Sequence, residues 1–92
     1  MGAAVRTDEY LQFLKGKGFQ FYEDAIGFIY FGKQYTNASD EMANTAIELT
    51  LKVQKSFDGS FYMSLLEELT SHNITSRSDA IQHVKEKNLL AI

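Results

Sequence analysis

The sequence predicts an all-α fold, a small bundle of four or five helices. Apolar residues recur at helical spacing in successive segments, capping residues and acidic first turns precede those segments, and proline is absent, so nothing interrupts them. Thr7 followed by Asp8 and Glu9 supplies an N-cap oxygen and two anions at a helix start. Tyr10, Phe13 and Leu14 then share a face, and Gly16-Lys17-Gly18 ends that helix.

Residues 22–35 admit two readings. As a helix, Tyr22, Ala25, Ile26, Ile29 and Tyr30 make one apolar face, and Phe28, Phe31 and Tyr35 make a second stripe beside it. Only Glu23, Gly27 and Gln34 form a polar wedge. As strands, Phe19/Phe21 and Phe28/Tyr30 alternate, which would give an α+β fold with a short hairpin within 18–35. The acidic first turn and the Ala25-Ile26 spacing favour the helix.

The next helix is expected from Ser39, its cap, to the Asp58-Gly59 breaker, and it should organise the bundle. Ala43, Ala46, Ile47, Thr50, Leu51, Val53 and Phe57 share one face; Asn44, Glu48, Lys52 and Lys55 share the other. Glu48 stands four residues before Lys52, the favourable order for an intrahelical pair. Ser60 is the expected cap of a helix that carries Phe61, Tyr62, Leu65, Leu66 and Leu69 and closes at His72-Asn73. Ser76 with Asp79 starts a last helix to about Lys87, whose narrow apolar face is Ala80, Ile81 and Val84, with Leu89 and Leu90 tucking the tail down.

A length of 92 residues with 45% hydrophobic and 23% charged composition fits one folded domain spanning 1–92, with residues 1–6 expected to fray. Seven Phe and five Tyr give so small a core a large buried area per residue. Cysteine is absent, which removes disulfides, thiolate metal ligands and a cysteine nucleophile. No run approaches the ~18 apolar residues of a membrane span, and residues 1–10 lack the pattern of a signal peptide. A cytoplasmic protein with no membrane partner is the expectation. A net charge of -3 argues against a surface built to neutralise phosphates, so nucleic acid is an unlikely partner.

The string Thr75-Ser-Arg-Ser-Asp-Ala-Ile-Gln-His-Val84 resembles the start of the first helix in ribbon-helix-helix DNA-binding proteins. That family needs a strand before the run and a second helix after it, whereas here a helix precedes it and only Lys85 to Ile92 follow. Residues 61–87 also have the outline of a helix-turn-helix, with Arg77, Gln82 and Lys85 on its outer side. Within 60–92, however, Arg77, Lys85 and Lys87 are outweighed by Glu67, Glu68, Asp79 and Glu86.

His72 and His83 are the only histidines, and neither stands in a metal-binding spacing. His72 belongs to the last turn of its helix; His83 can pair locally with Asp79 four residues earlier. Glu67-Glu68 reads as a solvated face. No glycine pattern forms a phosphate-binding loop. The sequence therefore assigns no catalytic, cofactor-binding or metal-ligating residue and no cofactor.

By elimination the expected function is a non-enzymatic protein-interaction or regulatory module. The alternatives are a helix-turn-helix-like nucleic-acid-binding protein and a small enzyme or ligand carrier. The candidate interaction surface is Phe28, Phe31 and Tyr35, covered either by a second copy in a two-fold dimer, with Gly32 allowing close approach, or by the first or last helix of the same chain.

Overall fold

Periodic apolar positions and capped starts produce five helices in the computed structural model, which describes residues 5–87. They are α1 (Thr7–Gly16), α2 (Glu23–Thr36), α3 (Asp40–Gln54), α4 (Gly59–Ser71) and α5 (Arg77–Glu86). The fold is a small all-α bundle, and no strand occurs among the described residues. The segment open to a hairpin reading is helical from Glu23, with Glu23 and Asp24 set against the positive end of the helix dipole. None of the described helices is long and apolar enough to cross a membrane. Of the expected frayed end, residues 1–4 lie outside the described residues, as do Leu89 and Leu90.

Caps form as expected at two starts. Ser39 Oγ accepts from the Met42 amide at 3.2 Å, and Ser76 Oγ from the Asp79 amide at 3.2 Å. Asn73 takes the left-handed conformation just past α4, with φ 58°. Two starts differ. Asp58, not Ser60, caps α4, its carboxylate accepting from the Phe61 amide at 3.0 Å. Arg6 holds the cap position of α1, which frees Thr7 for a tertiary bond: its hydroxyl donates to Asp40 Oδ1 at 2.9 Å, with Lys33 Nζ 3.5 Å from the same oxygen. That knot ties the first turns of α1 and α3 to the last turn of α2.

The middle helix α3 packs against α1, α2, α4 and α5. A helix with neighbours on so many sides cannot keep a polar half. Its buried residues therefore include Met42, Thr45 and Leu49 as well as the expected Ala43, Ala46, Ile47, Thr50 and Leu51. Thr45 and Thr50 satisfy their hydroxyls by donating back to the carbonyls of Glu41 and Ala46, at 2.8 and 2.7 Å. The helix stops at Gln54 rather than near Phe57, because Lys55 turns left-handed with φ 68°. The turn sends Phe57 back over the core, 5.4 Å from the Tyr62 ring and 6.1 Å from Phe21.

Polar residues on α3 also serve other helices. Glu48 pairs with the Arg77 guanidinium of α5, Nε to Oε1 at 2.8 Å, instead of with Lys52. Glu41 accepts the Arg77 amide at 2.8 Å. Burial, and then the charge of Glu48, pushes the nearby Tyr10 phenol up to about 12.

The rotation of α2 departs from expectation. Its buried line is Ile29 and Gly32, with half-buried Ala25 and Thr36 in the same row, while Tyr22 and Tyr30 face water. The reason is Gly32. A Cβ there would lie 3.0 Å from the Tyr62 ring and 3.1 Å from Met63 Cε, so its bare backbone lets α2 settle closely on α4. Tyr62 locks the arrangement by donating its buried hydroxyl to the Ile29 carbonyl at 2.8 Å. Gly32 thus serves contact within the chain, not approach by a second molecule.

Candidate functional site

Setting the 25-29-32-36 row of α2 against the core leaves the adjacent 28-31-35 row at the surface, since neighbouring rows differ by one residue, about 100°. Phe31 and Tyr35 are 56% and 66% exposed, and their rings stack at a 5.7 Å centroid distance. Phe28 leans on Phe31 at 6.3 Å and turns its other side to Tyr62 at 6.5 Å, so it anchors the strip at the edge of the core. The three side chains named from the sequence are therefore contiguous and face water. Neither α1 nor α5 has its principal packing on α2, which contacts α4 and, more lightly, α3.

Phe13 on α1 is equally exposed at 56%, but it is not comparable. Lys17 Nζ sits 5.4 Å from its ring centroid and Tyr10 stacks on it at 6.2 Å. Phe28 and Phe31 lie in a stretch, Ala25 to Gly32, that carries no charged residue, and Lys33, before Tyr35, is paired with Asp40.

Beside Phe28 lies an open cleft of about 500 Å³ that also touches Asp24 and Asp58. The Asp58 carboxylate is occupied in capping α4. In the helical hairpin of α4 and α5, the Arg77 guanidinium is engaged by Glu48, and Gln82 Nε2 donates to Glu86 at 3.0 Å. Two of the three side chains that a helix-turn-helix reading turns toward a groove thus already have partners on the protein.

A polar cluster that sequence spacing does not reveal forms where α5, packed on α3, brings His83 to the end of α4. His83 Nε2 lies 2.7 Å from Glu68 Oε2, in place of the expected pair with Asp79. His72 Nδ1 lies 3.4 Å from the same carboxylate oxygen and 2.9 Å from the Glu68 carbonyl. The two imidazoles are 4.7 Å apart between centroids, tilted by 48°. Glu68 is consequently no solvated partner of Glu67: it is half-buried and shared by both rings. The hydrogen bond from His83, followed by the charges of His72, His83 and Lys87, holds its carboxyl below the usual range despite some desolvation.

A carboxylate held low in the folded state stabilises the fold above its unfolded pKa and loses that contribution as pH falls through the folded one. Glu68→Gln is therefore expected to be less stable than the wild type at neutral pH. The gap should narrow progressively once pH drops below about 4, near the ordinary glutamate value. Denaturant melts of both proteins at neutral and acid pH measure the difference.

Residues 2–90 match a family described as a family of unknown function, DUF6123. No curated protein and no solved structure matches the chain.

Proposed function

The chain belongs to the DUF6123 family along nearly its whole length, and we propose from its geometry that it is a non-enzymatic interaction module that pairs with a second copy of itself through α2. The observation that carries this reading is the contiguous exposed strip of Phe28, Phe31 and Tyr35. Exposed aromatic side chains of this size in one contiguous strip mark interaction surfaces. The stretch Ala25 to Gly32 offers nothing to attract a charged partner such as nucleic acid.

Spacing supports a second copy as the occupant. Positions 28, 31 and 35 step by three and four, the spacing of a helix seam that packs against a like seam. Run antiparallel about a two-fold between positions 31 and 32, two such strips set Phe28 opposite Tyr35 and bring Phe31 beside its mate, so one patch complements itself, as a two-fold interface requires. The strip is short. The interface falls at the small end of the size range, consistent with a transient dimer of Kd about 10–100 μM.

Sedimentation at ~500 μM, several-fold above that Kd, tests the reading. The wild type is expected to sediment mainly as a dimer. Phe31→Glu, with two carboxylates facing each other at the crossing, should be a folded monomer, and Phe13→Glu on α1 should remain dimeric. A monomeric wild type at that concentration contradicts the proposal, as does a dimer that survives Phe31→Glu.

A further inference from the structure

Glu68, His72 and His83 bring one carboxylate oxygen and two imidazole nitrogens within 4.8 Å of one another. We propose that these three side chains form a binding site for one divalent transition-metal ion of the zinc type, with the remaining coordination position open to water or an outside ligand.

Donor chemistry carries the first part of the argument. Two imidazoles and one carboxylate suit zinc and cobalt, whereas magnesium and calcium take oxygen ligands almost exclusively. Three protein ligands with one open position is the arrangement of zinc sites that keep a coordination place free.

Geometry carries the second part. Glu68 lies in the last turn of α4, His72 four residues on is the C-cap of that helix, and His83 meets them from α5. Ligand atoms about 2.0–2.2 Å from a tetrahedral ion lie roughly 3.3 Å from one another. The separations of 2.7 Å from Glu68 to His83 and 3.4 Å from Glu68 to His72 bracket that value. To close on an ion the first must widen slightly, the His72 ring, whose side chain is 46% exposed, must turn, and the two ring nitrogens, within 4.8 Å of each other, must come to tetrahedral spacing. In binding, His72 gives up its contact with the Glu68 carbonyl, which keeps the Ser71 hydroxyl as a donor at 3.1 Å.

The protein backs two of the ligands with a fixed neighbour. Leu69 follows Glu68 and Val84 follows His83, and both are fully buried, so helices set those two donor positions, while His72 comes from the C-cap of α4. Charge supplies the last part. The Glu68 carboxylate brings negative charge to a dication, and the two rings, 4.7 Å apart between centroids, bring nitrogen donors. Lys87, which also acts on Glu68, works against the ion, but it stands exposed to solvent screening.

The test is calorimetric titration of Zn²⁺ and Co²⁺ into the full chain, with Mg²⁺ as the control cation and the visible spectrum of Co²⁺ as the report on coordination. One ion per chain is expected, with no Mg²⁺ response and with a Co²⁺ spectrum typical of low coordination number. At free Zn²⁺ a hundredfold above Kd, the melting temperature should rise by about 5 °C or more. Glu68→Gln and His72→Ala should each weaken binding by about 10–100-fold or more while retaining the helical circular dichroism of the wild type. Phe31→Glu should bind the ion as the wild type does, which separates this site from the α2 interface. Absence of Zn²⁺ binding below ~100 μM overturns the proposal. So does binding that survives both ligand variants, or a stoichiometry of one ion per two chains.

Discussion

Ile47→Ala is expected to cost about 2–5 kcal/mol, whereas Lys52→Ala on the same helix should change stability by no more than ~0.5 kcal/mol. Ile47 has no solvent exposure and lies at the middle of α3, the helix against which the other four pack. Removing three of its carbons loses their transfer free energy and leaves a cavity that helices held from several sides cannot collapse to fill. Lys52 is exposed one turn further on, and its expected partner Glu48 is engaged by Arg77. Denaturant melts with a common slope measure both losses, and equal losses would refute the placement of α3 at the centre.

The Tyr62 ring should prove as sensitive, with Tyr62→Ala expected to cost about 3–5 kcal/mol. Tyr62 is fully buried between α2 and α4, edge-on to Phe28 and tilted against Phe57, and it fills the space above Gly32. Burial pushes its phenol pKa up, so at neutral pH the hydroxyl keeps its proton and donates it to the Ile29 carbonyl. Tyr62→Phe keeps the ring and deletes that one bond. The Ile29 carbonyl still accepts within α2, so the loss should be only about 0.5–1.5 kcal/mol. A Tyr62→Phe loss as large as that of Tyr62→Ala would mean that the hydroxyl, not the ring, holds α2 in place.

Sequence made α3, α4 and α5 legible because their periodicity has one dominant solution. Tyr62, Leu65, Leu66 and Leu69 are buried as their spacing requires, and Ser39 and Ser76 cap where local chemistry places them. The rotation of α2 was not legible. With apolar residues around two-thirds of its circumference, hydrophobic pattern alone does not choose which row faces inward. Gly32 was the available signal, since a glycine inside a helix has to justify its low propensity by close backbone approach. The second stripe stands at the surface because it neighbours the inner row on either rotation, whereas the sequence left open whether α1 or α5 covers it.

The Glu68, His72 and His83 cluster was invisible for a different reason. Metal and ion-pair spacings are recognisable only when the partners share a helix, and His83 reaches Glu68 across the turn between α4 and α5. Asp40, Glu41 and Glu48 illustrate the same limit. Each reads locally as a first-turn anion or an intrahelical partner, yet each binds a residue more than 25 positions away or on another helix.

The interface itself is tested most directly by nitrogen-15 NMR spectra recorded from ~10 μM to ~1 mM, a range that spans the expected Kd. Concentration-dependent shifts are expected at the amides around Phe28, Phe31 and Tyr35 and at Gly27, with the amides of α5 unchanged. Spectra that do not change with concentration, or changes centred on α1 or α5, would contradict self-association through α2.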